Sequence, residues 1–316
     1  MPEISVLMSV YNENEKDLKA SIESVIHQTF TDFEFIIIVD NPENIRIHQM
    51  VSEFAQLDHR LKVVFNERNI GLALSINKAA SIATGKYYIR TDADDICDLS
   101  RFEKQYYIMK ENKYDLVCSD YYFINENDEI LNRSAKIYNS NAIRKLLPHQ
   151  NIIHHPTVLI KASVFHKVNG YREFPCAQDY DLWLRMVAAE CSFYMVPEKL
   201  LYYRVRSNSI TGKNKLKQYY TIKYIRKLFN SYNRNESDSY NPNSYKEYLK
   251  KKKVDNEKVQ RKFEFYSDLF ITGRMQMHEK SFLKGSIKVI IAIVCSNYHK
   301  YNIFSQIKCN IYNKYT

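Results

Sequence analysis

The chain has 316 residues, 45% of them apolar and 14% aromatic, and carries 46 Lys and Arg against 36 Asp and Glu for a net charge of +10. That length and composition exclude a disordered chain and support a sizeable core, organised as one large domain with an appendage. The six cysteines include no C-x-x-C pair and no ligand-like spacing to histidine, and no secretory leader precedes them, which points to a reduced, cytosolic compartment without structural zinc.

In chain order, "ISVLMSV" (Ile4–Val10) is a short apolar run that predicts a buried strand. The segment after it places Leu18, Ile22, Val25 and Ile26 on one helical face, with Asn14 as N-cap. "FEFIIIVD" (Phe33–Asp40) predicts a second strand, apolar enough for a parallel sheet covered on both faces. A helix from about Glu43 to Leu57, a strand over Leu61–Phe65, a helix ending at Gly85 and a strand ending at Asp92 follow. This alternation implies right-handed crossovers and a doubly wound α/β sheet. Ligands of such sheets bind beyond the carboxyl ends of the strands. Tyr11, Asn12 and Glu13 follow the first strand, Asp40 ends the second, and Asp92 to Asp95 follow the fourth.

The stretch "TDADDI" (Thr91–Ile96) concentrates carboxylates at that edge. Carboxylates at i and i+2 offer hard oxygen ligands suited to Mg²⁺ or Mn²⁺ on a phosphate. The competing reading is capping of the helix "LSRFEKQYYIMKE" by Asp94, Asp95 or Asp98. With six glycines scattered singly, neither a G-x-G-x-x-G fingerprint nor a P-loop is present, so a bound nucleotide needs metal and side chains instead. A second constellation lies between His154 and Met186, where Asp179 and Asp181 open a helix that carries Trp183, the single tryptophan. These acids read either as a helix N-terminal cap or as a general base beside a cleft. His154 and His155, ahead of Pro156, read as structural or as lining the acceptor site.

The segments "SVLMSVYNE", "SVIHQTFTDFEFIIIVD", "NIGLALSINKAASIATGKYYIRTDADD", "RFEKQ", "HPTVLIKASVFHKVNGY" and "QDYDLWLR" resemble, in order and spacing, bacterial family 2 glycosyltransferases of the GT-A fold. The resemblance covers about residues 3–206 and implies an inverting, metal-dependent hexosyltransferase with a Rossmann-like, mostly parallel sheet. It implies that Val10, Tyr11, Glu13 and Asp40 hold the base and ribose and that Arg68 and Asn77 contact the nucleotide. Asp92 would face the nucleoside, Asp94 would bind Mn²⁺ or Mg²⁺ on the diphosphate, and Asp95 would support or merely cap. Asp179 aligns with the catalytic base of the family's x-Glu-Asp motif, while Gln178 stands where Glu is usual, which weakens inferences about the acceptor. His155, Gln178, Asp181 and Trp183 are the acceptor-side candidates. The implied donor is a UDP-sugar carrying Glc, Gal or an N-acetylated hexosamine. The implied acceptor is a lipid-linked saccharide of O-antigen or capsule synthesis.

The predicted organisation is a catalytic domain over residues 1–212, its nucleotide-sugar half about 1–98 and its acceptor half about 99–212, followed by a basic, largely helical region over 213–316. That region holds 22 Lys and Arg against 8 Asp and Glu, so the positive charge belongs to the tail. The longest apolar run, "VIIAIVC" (Val289–Cys295), is too short to span a bilayer. The tail reads as helices packed on the catalytic domain, as an aromatic and basic surface for anionic lipid at the inner face of the cytoplasmic membrane, or as both. A nucleic-acid-binding protein and a sugar-nucleotide-binding protein without turnover are the rivals. The first lacks any recognised motif and is set aside; the second is supported by Gln178 alone.

Overall fold

Seven residues that are apolar except at Ser5 and Ser9 hold as a strand only where both faces are covered. In the computed structural model that strand, β1 (Ile4–Val10), is flanked on both sides. The structure describes residues 1–131, 137–206, 215–232, 234, 238–278 and 281–314. β1, β2 (Phe33–Val39), β3 (Leu61–Phe65) and β4 (Tyr87–Arg90) run parallel in the order β3-β2-β1-β4, linked by α1 (Glu15–Ile26), α2 (Ile45–Leu57) and α3 (Leu72–Ile82). Asn14 caps α1 by accepting from the N–H of Lys16 at 2.9 Å, as its position predicts. Leu18, Ile22 and Val25 bury their side chains against the sheet core with Val6, Met8, Phe35 and Ile37.

Two expected boundaries shift. α3 ends at Ile82 rather than Gly85, because Thr84 turns its N–H (2.6 Å) and hydroxyl (2.8 Å) to the buried Glu34 carboxylate. β4 stops at Arg90, which places Asp92 in the turn beyond the strand.

The chain then forms β5 (Ile96–Cys97), α4 (Arg101–Asn112), β6 (Leu116–Ile124), β7 (Ile130–Leu131), α5 (Ser140–Leu146), β8 (Leu159–Lys161), α6 (Ala162–Lys167), α7 (Gln178–Ala188) and β9 (Phe193–Arg204). The sheet continues from β4 as β8-β6-β9-β5, with β8 antiparallel to both β4 and β6 and β9 parallel to β6. It is therefore mixed, with its longer ladders parallel.

Residues 1–144 and 151–209 form one compact unit, and residues 145–150 and 210–316 form a second. The boundary expected near residue 212 lies outside the described residues. The second unit comprises α8 (Lys215–Tyr232), α9 (Pro242–Lys251), α10 (Glu257–His278), α11 (Phe282–Cys295) and α12 (Asn297–Lys314). Tyrosines cluster within it: the Tyr219 ring meets Tyr298 and Tyr301 edge-on at 5.3 and 5.5 Å, and Tyr245 shares a 2.7 Å hydrogen bond with Thr221.

Candidate active site

The turn after β4 is shaped by arginines from two directions. Arg90, 4% exposed, pairs through Nη2 with Asp92 Oδ1. From the far end of β9, the Arg204 N–H donates to Asp95 Oδ1 at 2.9 Å and Arg204 Nε donates to the Asp94 carbonyl at 3.0 Å. Arg206 Nε lies 3.2 Å from Asp94 Oδ2, and Arg206 Nη2 donates to Asp17 Oδ2 at 3.0 Å. Asp95 is thus a buried acceptor for β9 and not a helix cap. α4 begins only at Arg101, and Asp98 accepts there from the Ser100 N–H and hydroxyl at 3.0 and 2.6 Å.

Glu13 joins this cluster from the loop after β1, accepting from the Tyr11 N–H at 2.7 Å. Burial, reinforced by the charges of Asp94 and Asp92, pushes Glu13 up to about 7 against the pull of that hydrogen bond. Burial and Asp92 likewise raise Asp94 to about 6, against Arg206, Arg90 and Arg204. Among the described residues no group of three or more His, Cys, Asp or Glu encloses a metal position. The set is instead one of hard oxygens repelling each other, with the Asp92 and Asp94 side chains 30% and 27% exposed. This chemistry fits Mg²⁺ or Mn²⁺ carried by one or two carboxylates and completed by phosphate oxygens and water.

The remaining donor-side residues are placed unequally. Val10 is buried at the end of β1, with its carbonyl accepting from the Asp40 N–H at 2.7 Å, while the Tyr11 side chain is 48% exposed beside it. Arg68 is exposed on the loop between β3 and α3. Asp40 is buried at the end of β2. Its carboxylate accepts from Asn66 Nδ2 (2.7 Å), the Ile70 N–H (2.9 Å) and the Gly71 N–H (2.8 Å), so it ties the β3–α3 loop to β2. The Asn77 amide donates to the Tyr171 carbonyl at 2.8 Å and accepts the Tyr171 N–H at 2.9 Å, which ties α3 to the segment ahead of α7.

Among the residues expected on the acceptor side, Asp179 lies in the first turn of α7 and accepts from Asn151 Nδ2 at 2.8 Å. Burial holds its acid form above the usual carboxylate range, although the hydrogen bonds from Asn151 and the Tyr180 N–H and the charge of Arg90 oppose it. His155 Nε2 is 2.7 Å from the Tyr171 hydroxyl, and burial keeps that imidazole neutral. His154 stacks on Tyr121 at 4.2 Å and is held down to about 4 by burial. Gln178 is 8% exposed and Trp183 is fully buried in the core. Asp181 is engaged elsewhere: it receives Arg172 Nη1 at 3.2 Å and Arg185 Nε at 2.8 Å, and Arg185 also donates to the Gly170 carbonyl at 2.7 Å. It anchors the segment ahead of α7.

Arg90, Arg206 and Asn151 were not singled out by the sequence reading. Arg90 has a visible signal, a basic residue closing the apolar run of "KYYIR", and Arg206 a weaker one, a basic residue two positions beyond the end of β9 in "YYRVR". Asn151 has none, since its partner lies 28 residues away.

The family described as Glycosyl transferase family 2 matches residues 5–168. The chain is 41% identical over 228 residues to the uncharacterized glycosyltransferase MJ1057 of Methanocaldococcus jannaschii, covering 70% of this chain and 79% of that one. It is 36% identical to the O-antigen biosynthesis glycosyltransferase WbnJ of Escherichia coli, covering 72% of this chain and 88% of that one. Among solved structures, S. aureus TarS 1-349 in complex with UDP-GlcNAc superposes with a TM-score of 0.59 at 17% identity, over 92% of this chain and 79% of that one. That likeness establishes the fold.

Proposed function

Because the chain belongs to glycosyl transferase family 2 and is therefore a glycosyltransferase, we propose that it moves a hexose from a UDP-sugar to a hydroxyl of a lipid-linked saccharide. The setting is surface polysaccharide synthesis at the inner face of the cytoplasmic membrane, and the sugar is Glc, Gal or an N-acetylated hexosamine. The similarity to WbnJ over most of its length supports the polysaccharide setting, and the UDP-GlcNAc complex of TarS supports a UDP-sugar donor. One observation carries the chemistry: just beyond β4 the buried guanidinium of Arg90 pairs with Asp92 and Arg206 pairs with Asp94, so both carboxylates are held at the strand edge where ligands of such sheets bind.

In this reading Asp179 takes the proton of the acceptor hydroxyl as its oxygen bonds to the anomeric carbon. The bond from that carbon to the diphosphate oxygen breaks, UDP departs from the opposite face, and configuration inverts. Asn151 aims the carboxylate and Arg90 fixes Asp92 toward the nucleoside. Glu13 and Tyr11 border the base and ribose. A divalent cation on Asp94, when bound, supplies charge to the leaving diphosphate, worth several kcal/mol. Arg206, which pairs with Asp94, would compete with that cation for the carboxylate.

A panel of nucleotide-sugars with Mn²⁺, read by thermal shift and by hydrolysis, identifies the donor. Asp179→Asn is expected to lower turnover by about 10²- to 10⁴-fold with donor affinity kept within about twofold. Turnover at the unaltered rate in that variant removes Asp179 as the base.

A further inference from the structure

α11 turns small residues toward α10 and a row of large aliphatic ones to the outside. Its small residues face the protein: Gly285 and Ala292 are buried, and a Cβ on Gly285 would lie 2.5 Å from the Gly273 carbonyl of α10 and 2.7 Å from the Met277 nitrogen. The two backbones therefore touch, a close approach that helices use where large side chains have reason to point elsewhere. Here Val289 packs against Gly273 at the seam, and five other large side chains point outward. Leu283, Ile287, Ile290, Ile291 and Val294 recur at three- and four-residue spacing and are 42% to 75% exposed. Lys284 and Lys288 lie along one margin of that row, between it and the buried seam.

We infer that this row is the surface by which the protein docks on an anionic lipid bilayer, lying in the headgroup layer with the lysines on phosphates. Its 14 residues reach about 21 Å, short of a hydrocarbon core of about 30 Å, and among the described residues no helix is long and apolar enough to cross a membrane. An apolar arc edged by lysines is the pattern of a helix that lies in the interface plane. Charge decides against a second copy as the occupant. Residues 213–316 carry 22 Lys and Arg against 8 Asp and Glu, so copies apposed through this unit would repel, whereas phosphatidylglycerol attracts it. The inference names the surface for the membrane partner proposed above and rests on that reading; donor hydrolysis keeps a failure of one apart from a failure of the other.

The test is flotation of the full chain with phosphatidylcholine vesicles, with and without phosphatidylglycerol. Binding is expected only with the anionic lipid. The double variant Ile287→Glu/Ile291→Glu should weaken it by about tenfold or more, and Lys284→Glu/Lys288→Glu should weaken it by several-fold. Both should keep the helical circular dichroism and the donor hydrolysis of the parent chain. Sedimentation velocity without lipid should give a monomer. The inference is overturned if the parent chain does not float with anionic vesicles. It is also overturned if the isoleucine variant floats equally well, or if the parent self-associates and that variant dissolves the oligomer.

Discussion

Arg206 stands where a cation on Asp94 would feel it most. Its Nε is 3.2 Å from Asp94 Oδ2, and its other hydrogen bond, to Asp17, keeps it there. A divalent ion reaching Asp94 meets that guanidinium at close range, a repulsion that solvent reduces to about 1–2 kcal/mol. Arg206→Gln should therefore tighten nucleotide-free Mn²⁺ binding by about tenfold, read by electron paramagnetic resonance of Mn²⁺ at about pH 8, where Asp94 is ionised in either form. An unchanged affinity would show that the guanidinium and the ion do not compete. Asn151 gives a second prediction. Burial raises the acid form of Asp179, and the Asn151 hydrogen bond works against that rise. Asn151→Ala removes the counterweight, so the acidic limb of the kcat/KM profile should move to higher pH while donor affinity stays put. A limb left in place would reduce Asn151 to a structural role. These two residues escaped the sequence reading, while Asp92, Asp94 and Asp179 did not, and the reason is distance along the chain. The acids announce themselves at a strand end and a helix start. What each is bonded to depends on residues far away, as with Asn77 and Tyr171, 94 positions apart.

At the scale of elements, one buried carboxylate joins three strands. Glu34 on β2 accepts from Ser5 of β1 at 2.6 Å, from Lys62 of β3 at 2.7 Å, and from the Thr84 N–H ahead of β4 at 2.6 Å. Burial alone would raise its pKa, but the hydrogen bonds from Lys62, Ser5 and Thr84 outweigh it and bring Glu34 down to about 2. A folded pKa below the unfolded value of about 4.3 means stability that is present above that pH and lost as pH falls toward 2. Glu34→Gln should cost about 1–3 kcal/mol at neutral pH, and the gap to the parent should close steadily below about pH 4. Denaturant unfolding at several pH values measures it, and a gap independent of pH would contradict the assignment. The strands this residue ties were legible because each is an apolar run between turn residues. The second half of the sheet was not: β8 is three residues long and antiparallel to both neighbours, and nothing in "LIK" encodes its direction. That direction is set by pairing with β4 and β6, partners separated from it by dozens of residues.

For the molecule as a whole, charge is divided unevenly along the chain. Residues 1–212 carry 24 Lys and Arg against 28 Asp and Glu, and the rest of the chain holds the excess of positive charge. This division was readable from composition, because charge counts need no fold. The outward aliphatic row of α11 was not, since apolar spacing along a helix does not say which side meets its neighbour; the contact of Gly285 with Gly273 does. The division has a consequence that salt exposes. Attraction of exposed lysines to an anionic surface is screened beyond about 8 Å at physiological ionic strength and beyond about 3 Å near 1 M. Contacts of a buried charge, such as that of Arg90 with Asp92, are screened far less. Raising salt from low to about 0.5 M should release the chain from phosphatidylglycerol vesicles while nucleotide-sugar hydrolysis in the same samples changes by less than about twofold. Loss of both together would mean that the acidic cluster itself depends on exposed charge, and retention of both would mean that the aliphatic row of α11 holds the bilayer without help from its lysines.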